Sequence, residues 1–148
     1  MNLARLLHPA DDPRVAEFVQ GVDAVNAVAE RSPGFIWRLT APVSRTAGSG
    51  NFEAIDADDP LIASSVSVWE DPESLRHFVH KTLHGVFLRK RTEWFEPLSG
   101  PVYVIWPVAG DARPGMAEAK VKLAELARDG ASAAVYDFKW LDAQRGSP

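Results

Sequence analysis

The order of apolar segments predicts a ferredoxin-like α+β fold, built as a single domain over residues 1–148. Three observations carry that expectation. Short apolar runs alternate with two longer stretches of helical periodicity, in the order β-α-β-β-α-β. Both helical stretches open on the same capping signature, Asp12-Pro13 and Asp71-Pro72. The strands are apolar on both sides, so their sheet needs two covers.

Asn2–Leu7 is short and apolar and runs into His8-Pro9, which predicts the first strand. After the Asp12-Pro13 cap, Val15, Phe18, Val19, Val22, Val25 and Ala29 recur at helical spacing as far as Arg31. Ser32-Pro33-Gly34 breaks that helix, and Phe35–Leu39 reads as the second strand. Residues 41–60 are rich in Gly, Ser, Pro and Asp and predict a long loop, of the length that often forms a lid or mobile segment. Ile62–Glu70 alternates as a third strand. Asp71-Pro72-Glu73 then opens a helix running toward Phe95, bent near Gly85. Gly100-Pro101 introduces a fourth strand, Val102–Val108. A further helix spans Pro114–Arg128 and stops at Asp129-Gly130, and the tail Ala134–Leu141 adds an edge strand. Residues 1–108 are thus the core, and residues 109–148 a C-terminal helix and tail.

Composition narrows the function classes. A chain that is 46% hydrophobic and 24% charged is an ordinary globular protein. No run is long enough to span a bilayer, and Met1–Arg5 has no signal-peptide character. The absence of cysteine removes disulfides, thiolate metal sites and a cysteine nucleophile, and fits a cytoplasmic location. A net charge of -4 argues against a nucleic-acid partner. Between Arg76 and Arg91 there are nevertheless five cations (Arg76, Lys81, Arg89, Lys90, Arg91) and no carboxylate. They complement a helix dipole or form a site for an anionic ligand.

Within the strands, Ile62, Val66 and Val68 oppose Ala63, Ser65, Ser67 and Trp69, while Phe35, Trp37 and Leu39 oppose Ile36 and Arg38. Two helices cover one face of such a sheet. A second copy of the chain or the extra C-terminal helix covers the other.

Val66–Glu70, Leu75–Val79, His84 and Leu88–Phe95 resemble an uncharacterised bacterial family, the domain-of-unknown-function family 3291. The opening Asn2-Leu3-Ala4, the stretch Ser32–Leu39 and Glu118-Ala119 in the terminal helix resemble it as well, so the likeness covers nearly the whole chain. The resemblance implies the dimeric α+β barrels of the antibiotic-biosynthesis monooxygenase kind, acting as homodimers. Their branches include cofactor-free oxygenases, haem-degrading enzymes, isomerases and ligand-binding regulators.

It also implies which residues to watch. The oxygenase and haem branches use a polar residue on the first strand and a tryptophan at the end of the third, here Asn2 and Trp69. The haem branch adds a histidine on the next helix, here His77, His80 or His84, and the family pattern favours His84. Chemically the trio is coherent. An amide can hold dioxygen or an oxyanion, an indole supplies a flat wall, and an imidazole moves a proton or ligates iron. At about 100° per residue the three histidines fall within roughly 60° of one another on a single helix. Leu75, Phe78, Val79, Thr82 and Val86 centre about 150° away and pack on the sheet.

Ser65 and Ser67, being small, leave room beside Trp69 for a ligand. Arg38 and Tyr103 are further candidates to line that cavity, Arg38 to hold a carboxylate or phenolate and Tyr103 to donate a proton; Trp37 and His80 complete the set. For Arg38 the alternative is a salt bridge to a nearby carboxylate, and for Glu93 an ion pair with Arg89 or Arg91. No nucleotide-binding, serine-hydrolase or zinc-hydrolase motif is present. The expectation is therefore an enzyme acting on a planar aromatic substrate without an organic cofactor. The alternatives are a haem protein, with the Arg89–Arg91 cluster meeting the propionates, and a non-catalytic binding or stress protein.

Overall fold

The structure, a computed structural model, describes residues 1–40 and 59–146. Almost all of the loop expected at 41–60 lies outside the described residues. The rest is a mixed α+β arrangement. In chain order it comprises β1 (Asn2–Leu6), α1 (Ala16–Glu30), β2 (Phe35–Arg38), β3 (Ile62–Ser65), β4 (Ser67–Trp69), α2 (Pro72–Lys81), α3 (Leu83–Lys90), β5 (Phe95–Glu96), α4 (Met116–Asp129) and α5 (Phe138–Arg145). All strand pairing is antiparallel. One sheet has the order β3-β1-β5 and the other pairs β2 with β4. The two are joined through Val66, the single residue between β3 and β4, whose carbonyl accepts the Leu39 N–H at 2.9 Å. No closed barrel forms among the described residues.

Local chemistry explains the helix starts. The Asp12 carboxylate accepts from the Arg14 N–H at 2.9 Å and caps the short turn Pro13–Val15 that leads into α1, and Asp71 accepts from the Ser74 N–H at 2.8 Å at the start of α2. Each cap contributes about 1 kcal/mol. Gly34 ends the turn before β2 with φ of 81°, and its carbonyl accepts the Glu70 N–H at 2.7 Å. A Cβ there would lie 2.2 Å from the Ser74 Oγ, so glycine serves both the backbone conformation and the close approach of α2.

The core has two parts, one on each side of the strands. On one side Leu6 packs with Val15 and Trp94, joined by Phe18 and Val19 from α1 and Phe87 from α3. Trp94 is only 2% exposed and is the largest of the fully buried side chains, so the Glu93-Trp94-Phe95 stretch works as a core anchor. On the other side Val104 packs with Leu126 and Val135, flanked by Leu123. Ser64 donates to the Met116 Sδ at 3.6 Å from the same direction. The chain's own α4 therefore covers sheet surface for which a second copy was the alternative.

Five sequence expectations are corrected. The helix expected from Asp71 toward Phe95 with a bend near Gly85 instead breaks fully at Thr82, three residues earlier, and yields α2 and α3. Thr82 takes φ of -114° and ψ of -168°, its hydroxyl donating to the Phe78 carbonyl at 2.6 Å and accepting from the His84 N–H at 3.3 Å. It thus closes one helix and caps the next. The break also turns α3, and Val86, expected on the sheet, is 41% exposed. The third strand is interrupted at Val66. The fourth shrinks to single bridges, Asn2 with Tyr103 and Ile105 with Tyr136, because Tyr103 and Ile105 turn to different partners. Finally, the expected edge strand at Ala134–Leu141 makes only the Tyr136 bridge before Asp137 caps α5 through the Trp140 N–H at 2.8 Å.

Candidate functional site

Side chains alternate along β1, so Asn2 shares the face of Leu6, the face on which α1 and α3 pack. Asn2 pairs with Ser65 on one neighbouring strand and bridges Tyr103 on the other. The three form a polar row across the sheet, in which the Ser65 hydroxyl donates to the Asn2 Oδ1. Asn2 and Ser65 are exposed although they lie on the helix-covered face, so the row opens to solvent. An amide that accepts through its oxygen keeps both N–H donors for a ligand.

Further along, the Trp69 indole N–H donates to the Ser67 Oγ at 2.9 Å, which fixes the ring plane. Phe35, opposite Trp69 in the ladder, meets it edge-on at 5.3 Å. On its other contact Trp69 stacks on Phe78 of α2, centroids 5.2 Å apart and planes 23° apart. Phe78 in turn lies 5.0 Å from the His84 ring. An unbroken run of flat surfaces thus leads from the end of β4 to α3, each aromatic pair contributing about 0.5–1.5 kcal/mol beyond burial.

His84 owes its setting to the break at Thr82. That break lets α3 fold back so closely that a Cβ on Gly85 would lie 2.7 Å from the His80 carbonyl oxygen. The ring becomes half-buried, with Nδ1 3.2 Å from the Val79 carbonyl oxygen. A carbonyl can only accept, so Nδ1 carries the proton and Nε2 keeps its lone pair. Burial lowers the His84 pKa from its ordinary value, the Val79 bond opposes this, and the charge of His80 lowers it further. The result is a neutral imidazole with one free basic nitrogen, beside an aromatic wall.

A second aromatic group adjoins the polar row. Tyr103 accepts the Phe138 N–H at 3.1 Å through its hydroxyl, and the two rings lie 5.7 Å apart. Phe138 also stands 6.1 Å from the His80 ring. The Tyr103 pKa is raised, chiefly by burial, which keeps the phenol protonated.

Among the expected residues, the structure groups Asn2 with Ser65 and Tyr103, Ser67 with Trp69, and His84 with the Phe78 side of Trp69. It separates the histidines. His77 and His80 sit exposed on α2, while His84 is on α3, so the single stripe is corrected by the break at Thr82. Among the described residues no group of three or more His, Cys, Asp or Glu side chains is placed to hold a metal ion. Arg38 pairs with Glu30 at 2.7 Å, the salt bridge that was the alternative to ligand binding. Trp37 lies beneath Arg113 at 5.8 Å, because a register shift between Phe35 and Trp37 breaks the alternation that would have joined it to Phe35. In the cationic stretch Lys90 pairs with Glu17, and Arg91 donates to the Leu88 carbonyl at 2.9 Å.

Two contributors escape a reading of the sequence. Phe78 looks like a core residue, which it also is. Phe138 sits in the alternation Tyr136, Phe138, Trp140, which mimics a strand; Asp137, a cap residue, is the signal that would have placed a helix there.

Neither the curated proteins nor the solved structures contain a match to this chain. No helix among the described residues is long and apolar enough to cross a membrane. A family model matches residues 1–147, in keeping with the motifs that run from Asn2 to the terminal helix, and the chain belongs to that family, described as Domain of unknown function (DUF3291).

Proposed function

We propose that the protein is a small-molecule enzyme of the antibiotic-biosynthesis monooxygenase-like type, acting on a planar aromatic substrate without a bound organic cofactor. The reaction is an oxygenation or a rearrangement driven by proton transfer. The observation that carries this reading is the run Trp69–Phe78–His84, in which a flat wall ends on a neutral imidazole with a free Nε2. Such a nitrogen accepts a proton from a phenol or an acidic C–H when the substrate lies along the wall. The Asn2 amide donors then hold the oxyanion or dioxygen, and Tyr103, kept protonated by burial, returns a proton.

The pairing order supports the finer, ferredoxin-like reading of the fold. The expected second strand pairs with the third, the third with the first, and the first with the Tyr103 segment. A cytoplasmic homodimer belongs to the same proposal. With α4 over the second sheet face, its contact surface would include the exposed side of α4, where Val121 is 64% exposed.

Haem binding is the second reading, favoured by one detail. A histidine whose Nδ1–H is held by a backbone carbonyl presents Nε2 as histidines that ligate iron do. The cationic cluster fits the propionates less well, since Lys90 is engaged by Glu17 and Arg91 by the Leu88 carbonyl.

The test is a panel of aromatic metabolites incubated in air with wild type, His84→Ala and Trp69→Leu. The proposal expects one substrate class to be consumed, with turnover reduced about 100-fold or more in His84→Ala, the scale of a lost general base. Binding without turnover in every case would leave a binding protein instead. Haemin titrated into the same samples, giving a saturable Soret band that His84→Ala abolishes, would put the haem reading first.

A further inference from the structure

Phe138 begins α5 with its ring 4.5 Å from the Arg76 guanidinium carbon, as well as beside Tyr103 and His80. Asp142, one turn along the same helix, takes the same guanidinium in a two-pronged ion pair. Nη2 donates to Oδ1 at 2.6 Å and Nη1 to Oδ2 at 3.1 Å. Arg76 Nε meets Glu73 at 3.4 Å. One arginine of α2 thus holds a flat ring on its face and a carboxylate on its fork, both supplied by α5.

We infer that α5 is an internal stand-in for an aromatic carboxylate ligand and occupies that ligand's place until displaced. The ligand's ring takes the position of Phe138 between Tyr103, His80 and Arg76, and its carboxylate takes the position of Asp142. This rests on the reading above that the protein accepts planar aromatic molecules, and adds to it an acid group, a place beside Tyr103, His80 and Arg76, and a regulatory helix. The attachment of α5 suits the role. Eight residues are too few to hold a helix on their own, and none of these is fully buried. Its outer ion pair, Arg145 with Glu73, is exposed on both sides, at 55% and 48%, while Asp142 is 57% exposed on an Arg76 that is 26% exposed. The outer pair holds weakly, which leaves the Arg76–Asp142 fork as the contact that a ligand carboxylate has to reproduce in order to compete. A ligand that needs the undocked state binds with its affinity reduced by the undocked fraction.

The experiment uses the full chain and the variants Phe138→Ala and Asp142→Asn. Calorimetric titration with 2-naphthoate, and with 2-naphthamide as the uncharged control, is read beside hydrogen exchange across residues 138–145. Both variants should exchange faster in α5 and bind 2-naphthoate more tightly by up to about fivefold, the ceiling if docking masks about four-fifths of the sites. Adding Arg76→Gln to Asp142→Asn should remove the gain. Unchanged exchange, faster exchange without tighter binding, or a gain that survives Arg76→Gln each overturns the inference. An equal gain for 2-naphthamide removes the carboxylate from it. If the amide binds and the acid gains nothing, this inference fails and the reading of a planar aromatic ligand stands; if neither probe binds any variant, both fail.

Discussion

At the scale of single side chains, the chemistry of His84 is set by its surroundings. Its pKa is lowered by burial, so the folded protein holds this proton less tightly than the unfolded chain does. Between the unfolded value near 6.5 and the lower folded value, the unfolded state binds more protons, and stability falls as pH falls through that window. His84→Gln removes the titration. Denaturant midpoints measured at pH 7.5 and 5.5 should therefore drop further for wild type than for His84→Gln, and parallel losses would refute the burial argument. The residue's candidacy was visible beforehand, because His84 lies within the quoted family motifs. Its environment was not, since that depends on the Val79 carbonyl and on where the helix breaks.

That break belongs to the scale of elements. The apolar spacing runs on through Thr82, so periodicity alone predicts one helix from Asp71 toward Phe95. Thr82 itself carried the contrary signal, being a favoured cap residue two places before His84. The starts of α2 and of the short turn Pro13–Val15 that leads into α1 were legible because Asp71 and Asp12 cap their own neighbouring N–H groups, a purely local device. The fourth strand and the tail were not legible, because Tyr103 and Ile105 are positioned by distant partners, Asn2 and Tyr136. Gly85→Ala tests the fold-back of α3. Its Cβ would meet the His80 carbonyl oxygen at 2.7 Å, a backbone atom that cannot swing aside. Overpacking of this kind costs about 1–3 kcal/mol, against about 1 kcal/mol gained by replacing a helical glycine. The net expectation is a destabilised protein whose melting temperature falls by a few degrees, read by thermal unfolding. An unchanged or raised melting temperature would mean that α3 does not approach α2 so closely.

Over the whole molecule, the alternation of apolar and small residues predicted correctly that both sheet surfaces need covering. It left open what covers the second, and the structure sets α4 there, with Leu126 on Val104 and Met116 against Ser64. The candidate site then lies on the first face, bounded by the polar row Ser65–Asn2–Tyr103, the Trp69–Phe78–His84 run and α5. Its central claim is a neutral His84 imidazole with the proton on Nδ1, held by the Val79 carbonyl, and a lone pair on Nε2. Long-range ¹H–¹⁵N NMR of the imidazole nitrogens measures this directly. At pH 7 the account predicts a protonated Nδ1 and an unprotonated Nε2 whose resonance shifts when an aromatic ligand is added. A charged ring, a proton on Nε2, or an Nε2 signal indifferent to every aromatic ligand that binds would contradict it.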